Sequence, residues 1–166
     1  MVKKIFIING SGGVGKDTFV EMISKKIVTM NVSSVDKIKE IAKEIGWDGI
    51  SKTPKDRKLL SDLKSLTVKY NDLPFQYMKE KVKEFNNSAY ECLFLHIREP
   101  EEVKRAAKEF NAKTILVVRN SVEVITSNTS DARVFQYNYD HEIINNGTLE
   151  DLEQIADYFI KEFILC

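Results

Sequence analysis

The sequence predicts a three-layer α/β/α protein, in which a five-stranded, mostly parallel sheet lies between two layers of helices. Short runs of apolar and β-branched residues alternate along the 166 residues with longer segments whose apolar side chains recur at helical spacing. Alternating strands and helices form right-handed crossover units, which cover both faces of a parallel sheet. A glycine-rich turn after the first strand indicates a ligand site at the carboxyl edge of that sheet.

The first half of the chain is predicted to contain two strands and four helices. Residues 3–9 form a strand, a helix follows Lys16, and residues 31–35 form a short second strand. A third segment is a helix that Asp36 caps and that ends at Gly46. Two further helices begin near residues 55 and 74, and the first has an apolar face of Leu59, Leu63, Leu66 and Tyr70. These helices form a substrate-side insertion over approximately residues 36–88.

The second half is predicted to complete the sheet with three strands. Residues 90–97 are a near-continuous apolar run, which is typical of a central parallel strand. A helix from Pro100 and a strand over residues 114–118 follow. Residues 119–140 form a long loop, residues 141–145 form the last strand, and a capping-box-like pair, Thr148 and Asp151, begins the closing helix.

Composition and charge favour small-molecule partners. The 25 basic residues balance the 25 acidic ones, which argues against a broad nucleic-acid-binding surface. No apolar run is long enough to span a bilayer, and no signal peptide is recognisable, so we expect no membrane partner and a cytoplasmic protein. Cys92 and Cys166 lack metal-type spacing, and Cys92 is expected in the core. We predict one domain over residues 1–166, either monomeric or homodimeric.

The glycine-rich turn has the spacing of a phosphate loop. Gly10, four variable positions, Gly15 and Lys16 match G-x-x-x-x-G-K, between a strand and a helix as the motif requires. Glycines let backbone N–H groups surround a phosphate, the helix N-terminus adds partial positive charge, and Lys16 reaches the outer phosphates. A turn that only joins a strand to a helix is the alternative, and the order of the elements disfavours it.

The motif departs from its usual form at Asp17, where a Ser or Thr hydroxyl normally binds Mg²⁺. A carboxylate can also hold Mg²⁺, directly or through water, because hard cations prefer oxygen ligands. Glu99, after the third strand, is a second candidate metal ligand, although it could equally cap the next helix. His96 occupies the strand end where phosphate-loop enzymes usually carry a metal-orienting Asp, and a structural role is the commoner interpretation of such a histidine.

Arginines are the other candidates for chemistry, since phosphoryl transfer needs positive charge and positioning around the transferring group. Arg98 and Arg119 each end a predicted strand, at the edge that carries the phosphate loop. Arg57 begins an amphipathic helix, and Arg133 lies in the long loop. The alternative for each is a solvated or ion-paired surface arginine.

Several segments resemble the deoxynucleoside monophosphate kinase branch of the P-loop kinases. Residues 10–18 carry Gly-Lys-Asp-Thr in place of Gly-Lys-Ser/Thr, a feature that animal-type phosphomevalonate kinases share. Patches of similarity continue at residues 35–42, 56–60, 95–98 and 140–149, with His96 replacing the family's Asp. The resemblance implies the P-loop NTPase fold, with ATP and Mg²⁺ as cofactors.

The resemblance also implies roles for individual residues. Residues expected at the ATP phosphates are Gly10, Gly12, Gly13, Val14, Gly15, Lys16, Asp17 and Thr18. Asn146 and Gly147 would line the base, while Arg57 and Arg98 would bind the acceptor phosphate. Asp36 is either a helix cap or an acceptor contact. Lys16 and Arg98 would act in catalysis together with Arg119 and Arg133, which belong to a lid-like loop over approximately residues 119–140.

The implied activity is transfer of the γ-phosphoryl group of ATP to a (deoxy)nucleoside monophosphate. Two alternatives stay open at this point. The acceptor could be another phosphorylated metabolite such as dephospho-coenzyme A, or the chain could be a catalytically silent ATP-binding module, as Asp17 and His96 suggest.

Overall fold

A computed structural model of the chain describes residues 2–121 and 133–166. Five strands form one sheet in the order β2-β3-β1-β4-β5, and every neighbouring pair is parallel. The strands are β1 (Lys4–Asn9), β2 (Thr29–Ser33), β3 (Cys92–His96), β4 (Lys113–Val118) and β5 (His141–Ile144). All their carboxyl ends therefore meet at one edge of the sheet, next to the glycine-rich turn.

Helices cover both faces of this sheet. Their bounds are α1 (Lys16–Ser24), α2 (Asp36–Glu44), α3 (Pro54–Asn71), α4 (Leu73–Asn86), α5 (Pro100–Phe110) and α6 (Leu149–Phe159), which continues into a π-helical segment (Ile160–Ile164). A 3₁₀ turn (Val134–Gln136) precedes β5. In the part of the chain that the structure describes, none of the helices is long and apolar enough to cross a bilayer.

Two hydrophobic clusters, one on each face, form the core. Phe6 and Phe94 pack on one face with Phe159 of α6, whereas Ile7 and Leu95 pack on the other face with α4 and α5. Strands buried on both faces read as continuous apolar runs, which is why β1 and β3 were recognisable in the sequence. The predicted three layers are confirmed, and Cys92 is buried as expected.

The apolar face of α3 is exposed over the second half of the helix. The helix is real, with a capping box between Thr53 and Asp56 at its start, but none of its residues is fully buried. Leu66 is 64% exposed and Tyr70 is 85% exposed. The reason is that α3 packs against α2 and α4 rather than on the sheet, so its helical spacing has no apolar surface to face at that end.

The predicted cap of α2 is wrong. Val35 occupies the N-cap position, and Asp36 is already the first helical residue. Its carboxylate oxygen accepts a hydrogen bond from the backbone N–H of Ser33 at 2.7 Å, which closes the turn between β2 and α2. Residues 122–132 of the predicted lid lie outside the described residues. The lid and the single-domain organisation stay predictions.

Candidate active site

The glycine-rich turn has a backbone that only glycine tolerates at its key positions. Gly10, Gly13 and Gly15 have φ angles of 152°, 79° and 97°, in the region that side chains disfavour. A Cβ at Gly10 would lie 2.5 Å from the carbonyl oxygen of Val117, and one at Gly15 would lie 2.5 Å from Nδ2 of Asn145. Both φ and packing therefore require glycine at these two positions.

The N-terminus of α1 begins directly at this turn. Gly15 is the N-cap residue, and no described side chain caps the helix, so its first N–H groups point toward the loop. Lys16 Nζ lies 2.9 Å from the carbonyl oxygen of Gly10 and 3.3 Å from that of Ser11. The loop thus combines a helix N-terminus and an ammonium group, which is the arrangement that binds phosphate.

Asn145 supports the loop from below, and sequence reasoning did not single it out. Its Nδ2 donates to the carbonyl oxygen of Val14 at 2.9 Å, and its backbone N–H donates to that of Val118 at 2.8 Å. The residue is only 4% exposed. The available signal was an amide side chain directly after the predicted last strand, where a buried group would need hydrogen-bond partners.

Asn9 is a second missed residue and is fully buried at the end of β1. Its Oδ1 accepts from the N–H of Gly10 at 2.9 Å, while its Nδ2 donates to the carbonyl oxygen of Arg98 at 3.0 Å and to Tyr139 Oη at 2.8 Å. Tyr139 Oη in turn donates to the carbonyl oxygen of Val134 at 2.8 Å. Burial raises the pKa of Tyr139 to about 12. One amide therefore connects the phosphate loop, the end of β3 and the segment before β5.

His96 and Asp17 lie next to each other beside the phosphate loop. His96 Nδ1 is 3.8 Å from Asp17 Oδ1, and His96 Nε2 is 2.7 Å from Asn31 Oδ1. Burial lowers the pKa of His96, and the opposing effect of the nearby Asp17 carboxylate is smaller. The imidazole is therefore neutral near pH 7. The Asp17 side chain is 93% exposed.

The four candidate arginines occupy different surroundings. Arg98 is exposed two residues after β3, and its carbonyl oxygen accepts from Asn9 Nδ2 at the start of the phosphate loop. Arg119 donates from Nε to Ser121 Oγ at 3.3 Å, and Arg133 forms an ion pair with Glu101 of α5. Arg57 donates to the carbonyl oxygen of Lys52 at 3.1 Å, in the turn before α3. Their assigned roles stay predictions.

A cavity of about 360 Å³ opens beside the phosphate loop. It is lined by Ser11, Val14, Val117, Val118, Arg119, Asn120 and Phe135. Ser11 Oγ is buried there with no hydrogen-bond partner among the described residues, so a polar ligand atom would complete its bonding. Asn146 Oδ1 accepts from the N–H of Asn120 at 2.8 Å, which brings the predicted base-lining turn to this cavity. Gly147, its neighbour, lies against the side chain of Asp151.

The predicted metal ligands do not form a preassembled cluster. In residues 2–121 and 133–166, no group of three or more His, Cys, Asp or Glu side chains could hold a metal ion. Glu99 is the N-cap of α5 and lines a shallow depression with Lys64 and Val68 of α3. A carboxylate at the motif's usual metal position still fits a cation that shares its ligands with bound phosphates. Asp17 is therefore the better-placed candidate.

Comparison with known proteins finds similarity at the level of structure. Neither protein-family models nor curated protein sequences match the chain. A sugar kinase from Janibacter sp. is similar at 11% identity and a TM-score of 0.57, over 99% of this chain and 98% of that one. Dephospho-CoA kinase from Campylobacter jejuni is similar at 18% identity and a TM-score of 0.53, over 99% and 98% of the two chains.

Shikimate kinase from Aquifex aeolicus is also similar, at 10% identity and a TM-score of 0.50, over 97% of this chain and 98% of that one. The chain has the P-loop NTPase fold. At these identities the comparison establishes the architecture and leaves the substrate to the chemistry of the site.

Proposed function

We propose that this P-loop protein is an ATP-dependent phosphotransferase that moves the γ-phosphoryl group to a (deoxy)nucleoside monophosphate. The observation that carries the proposal is the phosphate loop itself. Lys16, the first residue of α1, places its Nζ 2.9 Å from the carbonyl oxygen of Gly10. The similar solved structures named as kinases support a phosphotransferase over other uses of this fold. The resemblance of residues 10–18 to nucleotide kinases supports the acceptor class.

In this proposal the protein supplies positioning and positive charge. The N–H groups of residues 12–18 bind the outer phosphates, and Lys16 stabilises the charge that migrates with the transferred group. A divalent cation, Mg²⁺ in the usual case, would neutralise further phosphate charge at Asp17. Arg98 and Arg57 bind the acceptor phosphate in line with the donor. Since that phosphate is already ionised, no side chain has to remove a proton.

The cavity beside the loop is the proposed place of the donor nucleoside. Phe135 and the Arg119 guanidinium offer planar groups for a base, and Asn146 with Gly147 forms the adjacent turn. Arg119 and Arg133 act as lid residues that approach the phosphates when substrates bind. The equal numbers of acidic and basic residues support small-molecule rather than nucleic-acid partners.

A second candidate acceptor is dephospho-coenzyme A. The similarity to the Campylobacter jejuni enzyme of that name favours it, since the two chains cover each other almost completely. A third possibility, a silent ATP-binding module, is motivated by Asp17 and by His96 at the place of the usual Asp.

The test is ADP release from ATP·Mg²⁺ over a panel of ribo- and deoxynucleoside monophosphates and dephospho-coenzyme A. Lys16→Ala serves as the blank, and Lys25→Ala, an exposed lysine just past α1, serves as the matched control. We expect one or a few acceptors to stimulate ADP release in the wild type and in Lys25→Ala but not in Lys16→Ala. Near-normal turnover of Lys16→Ala would refute the assignment. ATP binding without transfer to any acceptor would favour the silent module.

A further inference from the structure

His96 presents one ring nitrogen to Asp17 while the other is occupied. Asn31 Oδ1, 2.7 Å from Nε2, can only accept a hydrogen bond, so Nε2 carries the proton. In this tautomer Nδ1 carries the lone pair, and Nδ1 lies 3.8 Å from Asp17 Oδ1. Two atoms that can act as metal ligands thus lie 3.8 Å apart beside the phosphate loop.

A direct bond between these two groups does not account for the arrangement. The separation of 3.8 Å is longer than a hydrogen bond. The pattern matches that of a metal-binding histidine, whose second ring nitrogen almost always donates to an oxygen that fixes the tautomer and the ring orientation. Asn31 on β2 performs that role here. The exposed Asp17 carboxylate can rotate to complete a shared coordination.

We propose that His96 Nδ1 and the Asp17 carboxylate together bind the divalent cation of the bound nucleotide and make the site prefer Mn²⁺ to Mg²⁺. This inference rests on the proposed nucleotide site. Mg²⁺ takes oxygen ligands in near-ideal octahedral geometry, whereas imidazole nitrogen favours first-row transition metals. Mn²⁺ accepts phosphate and carboxylate oxygens together with an imidazole. Replacement of the usual Asp by His96 thereby changes the metal preference and retains a metal site.

Pulsed electron paramagnetic resonance of Mn²⁺·ADP bound to the protein tests this directly. A ¹⁴N modulation from a directly bound imidazole is expected, and it should change to the ¹⁵N pattern when the protein is labelled with ¹⁵N-histidine. The label also separates histidine from adenine nitrogen. The chain contains two histidines, so His96→Gln should abolish the signal. His141 packs against Phe163, and the control variant His141→Gln should retain the signal.

Metal affinity gives a second readout that does not depend on turnover. Asn31→Ala, which removes the partner of Nε2, should weaken Mn²⁺ binding in the presence of ADP by about 10- to 100-fold. His96→Asp should lower the Mn²⁺/Mg²⁺ affinity ratio, because it restores an all-oxygen ligand set.

The possible failures are distinguishable. Bound Mn²⁺·ADP with no histidine-dependent modulation in the wild-type protein would overturn the inference and leave the phosphotransferase proposal intact, whatever the variants do. Failure of the wild type to bind any adenine nucleotide would overturn the proposed function, and the metal inference with it.

Discussion

Asn9 Nδ2 and Tyr139 Oη lie 2.8 Å apart, which joins the start of the phosphate loop to the segment that leads into β5. The two residues are 130 positions apart in the chain. The same amide accepts a hydrogen bond from the N–H of Gly10 and donates one to the carbonyl oxygen of Arg98. The position of the loop therefore depends on both neighbouring segments. Buried polar networks of this kind stabilise a structure only when every member is satisfied.

We predict that Tyr139→Phe lowers the free energy of unfolding by about 1–3 kcal/mol. The substitution leaves one N–H of the Asn9 amide without its acceptor and the carbonyl oxygen of Val134 without its donor, in a partly buried setting. Urea denaturation measures the change. Tyr158→Phe, at a tyrosine that is 62% exposed, is the control and should be nearly neutral. Equal effects of the two substitutions would argue against the network.

The same tyrosine predicts a pH dependence at the alkaline end. Because burial raises the pKa of Tyr139 from 10.0 to about 12, its neutral form is favoured in the folded state. The stabilisation is complete below about pH 10 and is lost as the pH rises toward 12. Wild-type protein should therefore lose stability relative to Tyr139→Phe over this range. Burial also raises the pKa of Tyr77, so absorbance at 295 nm should show two tyrosines that ionise late, with Tyr139 the last. An unchanged last ionisation in Tyr139→Phe would contradict the assignment.

Two glycines with similar φ angles provide a matched pair. Gly15 and Gly46 have φ angles of 97° and 107°, but a Cβ at Gly46 would meet nothing within 4 Å, whereas one at Gly15 would meet Asn145. Gly46→Ala should cost about 1–2 kcal/mol of stability from backbone strain alone. Gly15→Ala should cost more and should also weaken ATP binding, measured by calorimetry. Equal behaviour of the two variants would show that the contact with Asn145 does not matter.

Asn145→Ala should destabilise the protein by about 1–3 kcal/mol, because it leaves the carbonyl oxygen of Val14 buried without its donor. Asn87→Ala is the control, since the Asn87 amide makes a similar hydrogen bond of 3.0 Å to Lys83 at an exposed helix end. Chemical denaturation measures the loss of unfolding free energy in each variant, and the loss should be larger for the buried hydrogen bond of Asn145. A smaller loss in Asn145→Ala than in Asn87→Ala would contradict this account of the loop.

The exposure of Leu66 in the second half of α3 allows a prediction about its contribution to stability. Leu66→Lys should change the free energy of unfolding by no more than about 0.5 kcal/mol, because the side chain is 64% exposed. Met78→Lys on α4 should largely abolish folding, since Met78 is 1% exposed and a lysine there would bury an unpaired charge. Circular dichroism with thermal melting measures both. Strong destabilisation by Leu66→Lys would show that this face of α3 is covered.

Local spacing in the sequence was sufficient to predict the phosphate loop, the order of strands and helices, and the three layers. Gly10, Gly15 and Lys16 lie within seven consecutive residues, and the runs that form β1 and β3 are apolar because both faces are buried. The capping pair of Thr148 and Asp151 is equally local. Features of this kind depend on neighbours a few residues away, so their pattern is readable without coordinates.

Contacts between distant segments were decided only by the tertiary structure. Asn9 meets Tyr139, Asn145 meets Val14 and His96 meets Asn31, each across 65 positions or more. The exposure of Leu66 has the same origin, since a helical pattern states which residues share a face but not what covers that face. The sequence by itself determined where the glycine-rich turn meets α1, and it predicts that a phosphate binds there. The packing of the sheet decided which buried amides hold that loop and which nitrogen faces Asp17.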